Sequence, residues 1–476
     1  MTDLQTQHLL GTTVVLERAI RNANFFNGRV LTARDMQDEQ TANRRQHRQL
    51  GRAIGAGIVS GLQVRLLNAG SATTTPVVSV TGGLALNRQG QAIELPSNQV
   101  AVALSRTTAP PPSDVKVFAD CKPPQSTPDL VGKGIYVLTI APAAQYLDRA
   151  PMVSLNGGGK ADGCGDRYAA EGVRFGLIEV TLATLGGISE STRSEIASLL
   201  SRSEQNNLST LERLMARSRL RNLLAYACFG SAALAALWGN AARSAQHESY
   251  GIIDALWEAN ELQCCEVPLA LLIWTNAGVR VLDMWAVRRR PHYDEGTLLV
   301  PGERRLAEGE AMREQFADHL NWLLGNLSFS QRAAARAIDY FRLLPPAGVL
   351  PLASVNGPPG FTYPQWCEGI PHRDNGPRTD ELAPFLTGVP FIEGAALPAL
   401  FHTALSYGPH DLVSSSVADA KRREFIWLFQ VRENRQAIIE GVQPAPQPFL
   451  VFASGHLPEF GEARFDRARW GYSNFA

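Results

Sequence analysis

The chain has 476 residues, with 45 basic and 45 acidic side chains and therefore a formal net charge of zero. Neutrality excludes a general electrostatic pull toward nucleic acid or an anionic membrane surface. A composition of 45% hydrophobic and 19% charged residues excludes a wholly disordered chain, a collagen-like repeat and a coiled-coil rod, and the length asks for about two to four domains.

The first apolar run is flanked by Asp3 and Glu17, with no basic region before it, so it lacks the pattern of a secretory signal. Asn27-Gly28 reads as a turn. Thr32 stands three residues before Asp35, a capping box with Asp in place of Glu, and predicts a helix over about 33–53. This helix is strongly polar. Its Arg44, Arg45, Arg48 and Arg52 form a basic stripe, suited to an acidic partner or equally to a solvated helix face. Gly51, Gly55, Gly57 and Gly61 follow, then strand-like runs at 58–66, 77–80, 84–86 and 92–95. The Pro-rich stretch 107–114 reads as a linker.

Beyond it, 115–118 and 135–141 are predicted strands, with Cys121 in a loop between them. The stretch 155–166, LNGGGKADGCGD, is predicted as an exposed loop, and 173–182 as another strand. Cys121 and Cys164 are candidates for a disulfide or half of a metal site, as are the adjacent Cys264 and Cys265. Helical sequence runs from 191 to 260. Within it the uncharged run 222–242 is just long enough to span a membrane, but its Asn222, Ser231 and Asn240 favour a buried helix.

Residues 266–287 carry two apolar runs around Asn276-Ala277-Gly278, which predicts a β-hairpin covered on both faces. Arg288, Arg289 and Arg290 end it. Asp283 interrupts its second strand and needs a cationic partner if buried; the triplet, Arg21 and Arg29 are the candidates. Helices are expected at 305–324 and 331–343, the second capped by Ser330 and stopped by Pro345-Pro346. A long irregular excursion (350–390), a short helix (395–406) and strands at 425–431 and 449–452 complete the chain. Its end carries Phe465, Trp470, Tyr472 and Phe475, which are expected to dock.

The fold class is therefore α+β and multi-domain: a helix plus small β unit (1–106), a β-rich unit (115–190), a helical unit with the buried hairpin (191–345) and a Pro/Gly-rich α+β region (346–476). No GxSxG elbow, Walker A loop or HExxH motif occurs. Glu258, Glu261 and Glu266, near Trp257, Trp274 and Trp285, are the carboxylates from which a glycoside hydrolase would be built, as is Asp283. No residue is assigned as catalytic, cofactor-binding or metal-ligating.

Three stretches carry a resemblance. NFFNGRVLTARDMQDEQ (24–40), with GAGIVSGLQV (55–64) and GGLALNRQGQAIELP (82–96), is similar to the N-terminal module of proteins in phage-tail-like gene clusters. VPLALLIWTNAGVRVLDMWAVRRR (267–290) is the second, and YFRLLPPAGVLP (340–351) with RFDRARWGYSNFA (464–476) the third. The family they resemble belongs to extracellular contractile injection systems. That resemblance implies a structural, non-enzymatic part of the baseplate or its periphery, without a cofactor. Its partners would be other subunits in a symmetric, ring-like setting, not nucleic acid and not a membrane. It would be cytoplasmic during assembly and then part of the particle. Interface candidates are Arg44, Arg48, Arg288, Arg289, Arg290, Trp470 and Tyr472. The rival expectations are an effector or hydrolase cargo, and a glycan- or surface-ligand-binding module.

Overall fold

A computed structural model describes residues 19–71, 74–104, 134–153, 161–181, 190–229, 251–292, 303–352, 358–370, 372–373, 389, 391–405, 408–412, 424–432 and 449–456. The chain is a multi-domain α+β protein with several small, largely antiparallel sheets and a cluster of helices.

Helix α1 spans Ala33–Ile54, and the expected capping box is present: the Thr32 hydroxyl accepts from the Asp35 amide while Asp35 accepts from the Thr32 amide. This hydrogen bonding, with Arg29 alongside, holds the Asp35 carboxyl below its ordinary pKa. The first sheet follows, with β1 (Gly57–Gly61), β2 (Val64–Asn68), β3 (Val77–Leu86) and β4 (Ala92–Ala103). β1 and β2 lie one after the other along one side of β3, and β4 pairs along the whole of its other side, all antiparallel. The single strand expected at 58–66 is thus broken. Gly61 and Leu62 both adopt the left-handed region, at φ 59° and 51°, and Leu62 is buried there. The runs 77–80 and 84–86 instead merge into one strand, bulged next to Gly82.

The central sheet has the order β6-β5-β7-β8, from β5 (Gly134–Val153), β6 (Ala161–Glu179), β7 (Val267–Thr275) and β8 (Gly278–Asp283). The predicted hairpin is β7–β8, joined at Asn276-Ala277. Its strands share one sheet with β5 and β6, so the sheet spans the expected boundary at residue 190. Every residue of β7 is buried. The cause is cover on both sides. Ile135, Val137, Leu271, Ile273 and Val281 pack toward the helices α2 (Glu190–Glu204), α3 (Thr210–Cys228) and α4 (Ile252–Glu258). Tyr136, Leu138, Ile140, Leu272 and Trp274 pack on the first sheet. Strand alternation sends neighbouring side chains to the two cores.

The expected loop at 155–166 is corrected in part: residues 161–166 belong to β6, paired to β5 as far as Val153↔Ala161. Antiparallel pairing satisfies the backbone groups of this glycine-rich sequence, which its composition alone did not suggest.

Helix α5 (Glu303–Asn326) links two cores. Ala311 and Met312 belong to the core around the central sheet, whereas Phe316, Leu320, Leu323 and Leu324 enter a second core. The helix expected at 331–343 is instead two short turns, Phe329–Ala333 and Ala337–Tyr340. The cap is Ser328, boxed with Gln331, rather than Ser330. Chain then passes through β9 (Leu343–Leu344) and β10 (Ala347–Pro351). The C-terminal sheet comprises β10, β11 (His372–Arg373), β12 (Phe391–Glu393), β14 (Glu424–Arg432) and β15 (Phe449–His456), with β14–β15 at its centre; β13 (His410–Asp411) pairs β9 outside it. The helix Leu397–Ala404 covers one face of this sheet.

The expectations for 107–118, Cys121, 230–242, Phe465, Trp470, Tyr472 and Phe475 fall outside the described residues. Among the described residues no helix is long and apolar enough to cross a membrane.

Candidate functional site

Two arms are largely exposed. Only Ala42 and Gly51 of α1's 22 residues are buried. Gly51 is where the helix docks: a Cβ there would stand 2.0 Å from the Gly90 carbonyl oxygen, so only glycine permits the approach. Before the helix, Phe25, Phe26, Val30 and Leu31 are all exposed, Val30 at 83%. The distal half of the β5–β6 hairpin is the second arm, with Tyr146, Leu147 and Tyr168 exposed. Arg44 of α1 meets Glu171 of β6 at 3.2 Å, so the arms touch. Arg44, one of the interface candidates, therefore already has a partner within the chain, and Arg48 also makes intrachain interactions.

The arginine triplet is divided. Arg288 donates to the Gly61 and Leu62 carbonyls at 2.7 and 3.1 Å, clamping the first sheet to the end of β8. Arg289 turns inward over the Phe229 ring, 4.4 Å from its centre, and donates to the carbonyls of Trp285, Ala286 and Arg288. Arg290 is more exposed and pairs with Glu310 at 3.1 Å. Burial lowers the pKa of Arg288 and Arg289.

Asp283 is fully buried, and its partner is none of the cations the sequence suggested. Arg221, in the middle of α3, donates from Nε to Asp283 Oδ2 at 2.7 Å. Gln315 donates to the same oxygen at 3.0 Å, and the Ala286 amide donates to Oδ1. Arg221 also reaches Asp318, and the adjoining His319 Nε2 meets the Ser218 hydroxyl at 2.9 Å. Burial, helped by the Arg221 charge, holds His319 well below the ordinary histidine pKa. Arg221 was hidden because it is one of four arginines in α3. With Arg217 and Arg219 just before it on the same helix, nothing in its local sequence sets Arg221 apart as the buried cation.

Below the arms, where α1 ends, lies a cavity of about 360 Å³. Its walls come from the end of α1, the β3–β4 turn, α4, the start of β7, the segment after β8 and α5. The main chain closes this junction: the Ile58 amide donates to the Arg289 carbonyl at 2.8 Å, and the Arg88 amide to the Cys264 carbonyl at 3.1 Å. Charged side chains line it. Arg304 pairs with Asp254 and with Glu308. The Arg88 guanidinium lies 4.0 Å from the centre of the Trp257 ring. Glu266 accepts from the Thr139 hydroxyl and the Gln263 amide, yet burial still raises its pKa. Burial lowers the pKa of His292 and pushes the Cys228 thiol up to about 12, so that thiol is not a nucleophile at neutral pH.

Of the four carboxylates considered for hydrolysis, Glu266 lines this cavity, Glu258 and Glu261 are exposed, and Asp283 is tied into the Arg221 network. They are not gathered in one cleft. Cys265 is disulfide-bonded while Cys164 and Cys264 are free, so neither the Cys121–Cys164 nor the Cys264–Cys265 disulfide forms. Among the described residues no group of three or more His, Cys, Asp or Glu is placed to hold a metal ion. No protein-family model matches the chain, and no curated protein matches its sequence.

Proposed function

We propose that this chain is a structural, non-enzymatic subunit of a contractile, phage-tail-like particle, held among its neighbours by its two exposed arms. The observation that carries the proposal is the state of α1 and its lead-in. A helix gains most of its stability in a protein from burying a face. Here 22 residues bury two, and the apolar residues just before them stay in water. The hairpin arm repeats the pattern, since a two-stranded ribbon with neither face covered is marginal in water. Two such arms, joined by the Arg44–Glu171 pair, make a surface suited to a neighbouring subunit. The phage-tail-like resemblance of 24–40 and 55–64 supplies the class of neighbour.

The test is purification of the tagged chain from its native host at near-physiological salt, with mass spectrometry and negative-stain microscopy. Sheath, tube and baseplate proteins at fixed ratio, with syringe-like particles, are the expected result. Removing residues 19–32 should abolish incorporation and leave the thermal midpoint of the isolated chain unchanged. A chain that purifies alone, or one incorporated equally well without 19–32, overturns the proposal.

A further inference from the structure

Helix α1 carries a pattern that the fold leaves unused. Met36, Gln40, Asn43, His47, Leu50 and Ile54 recur at alternating steps of four and three. At about 100° per residue these six side chains fall within an arc of about 80°. That arc faces water. All six are exposed, Met36 at 48%, Leu50 at 65% and Ile54 at 57%. The helix meets the rest of the chain elsewhere on its surface: Gly51 on the Gly90 turn, Arg44 on Glu171, and Glu39 under the Ala23 amide. Steps of four and three are the spacing of a coiled-coil seam. Capped at Thr32, α1 presents that seam along one continuous helix.

The composition of the seam selects what can cover it. An apolar groove would suit Met36, Leu50 and Ile54 but bury Gln40, Asn43 and His47 without partners, which is costly. A second copy of the same helix has no such defect. The amides of Gln40 and Asn43 and the neutral imidazole of His47 each carry both a donor and an acceptor, so each can bond to its own copy. A polar layer within such a seam fixes register and oligomeric state. Charge fixes the direction. Glu39 and Arg44 flank the seam on opposite sides, five residues apart, at the positions heptads use for ion pairs between helices. In a parallel pair each Glu39 meets Arg44 of the second copy, twice by symmetry. An antiparallel pair would set Arg44 beside its own copy. Glu39 accepts from the Ala23 amide and from Asn43, and has no cationic partner among the described residues. The Arg44–Glu171 pair is exposed on both sides, so sharing Arg44 costs little. We infer that α1 pairs in parallel with α1 of a second copy of this chain, along the seam from Met36 to Ile54. The inference rests on the docking role proposed above and names the neighbour at this arm.

Sedimentation of the purified full-length chain over a concentration series reads this pairing apart from any particle. A reversible dimer is the expected species. Leu50→Lys replaces an exposed side chain by another good helix former, and weakens the dimer about a hundredfold, since each dimer loses two buried leucines. Glu39→Lys weakens it about tenfold, and adding Arg44→Glu to that variant restores it. Asn43→Cys crosslinks the two copies on air oxidation, above the level of the unsubstituted chain, because the parallel register sets residue 43 against its own copy. A chain that stays monomeric overturns the inference. So does a dimer that keeps its affinity in Leu50→Lys, a charge exchange that fails to rescue, or an Asn43→Cys variant that does not crosslink. Incorporation into particles is scored separately. A monomeric chain still held in particles overturns the pairing alone, whereas a dimer that purifies without particle proteins overturns the docking role alone.

Discussion

Helices α1 and α3 begin alike and end in different roles. Each opens with a capping box, Thr32 with Asp35 and Ser209 with Glu212, and each runs for about twenty residues, 22 and 19. Yet α1 buries two residues and α3 buries eleven, Arg221 and Asn222 among them. Capping starts a helix; it does not say what the helix is for. In α3 even a charge and an amide are enclosed, with Asn222 bridging to the backbone of Arg342 and Leu343. In α1 the arginines stay near solvent. One helix organises the interior, and the other is an outward face.

The sharpest way to break this contrast is to remove one arginine from each. Arg221→Met leaves Asp283 buried without its cation and should cost about 3–5 kcal/mol in urea unfolding. Arg44→Met removes an exposed pair and should cost less than about 1 kcal/mol. Equal effects would erase the distinction. Next in size is Gly51→Ala. Its Cβ would collide with the Gly90 backbone, and the expected cost is about 1–3 kcal/mol. Hydrogen exchange should show it in the second half of α1, with the central sheet unchanged.

A third test uses pH. His319 has a folded pKa well below its unfolded value, so the unfolded chain binds the extra proton. Its contribution to stability is complete above the unfolded pKa, about 6.5, and is lost as pH falls below it, by at most about 1.4 kcal/mol per unit. His319→Phe should flatten that part of the pH profile of unfolding. The smallest effect is at the caps. Ser209→Ala should lower global stability by about 1 kcal/mol, whereas Thr32→Ala should only speed exchange in the first turn of α1.

Local chemistry made part of this legible in advance. The Thr32 box, the Asn276-Ala277 turn and the strands near 425 and 450 follow from patterns a few residues long. The failures are equally instructive. Ser330 has the residue type of a cap, but Ser328, two residues earlier, has the Gln at the right spacing. The break at Leu62 depends on a left-handed residue type that leucine rarely adopts, so no sequence rule flags it. Asp283 announced that it needed a cation, but the cation lies 62 residues upstream on another element. The cavity was illegible for the same reason. Arg88, Trp257, Arg289 and Glu308 are ordinary residues in their own segments, and only the docking of the first sheet against α4 and α5 brings them together.

The wholly buried strand β7 also sets the order in which the molecule can be made. β5 pairs with it through Ile135↔Ile273, and 113 residues separate the end of β5 from its start. On a ribosome that interval lasts roughly 6–20 s. During it the nascent hairpin of β5 and β6 presents Ile135, Val137, Leu138 and Ile140 along an unpaired edge, the kind of edge that templates aggregation. The helices α2 and α3 emerge within the same interval and can shield one face of that edge before the strand that completes it exists. Synthesis of this chain is thus a race between helix docking and strand-edge exposure, and slowing translation between residues 180 and 266 should lower the yield of soluble protein.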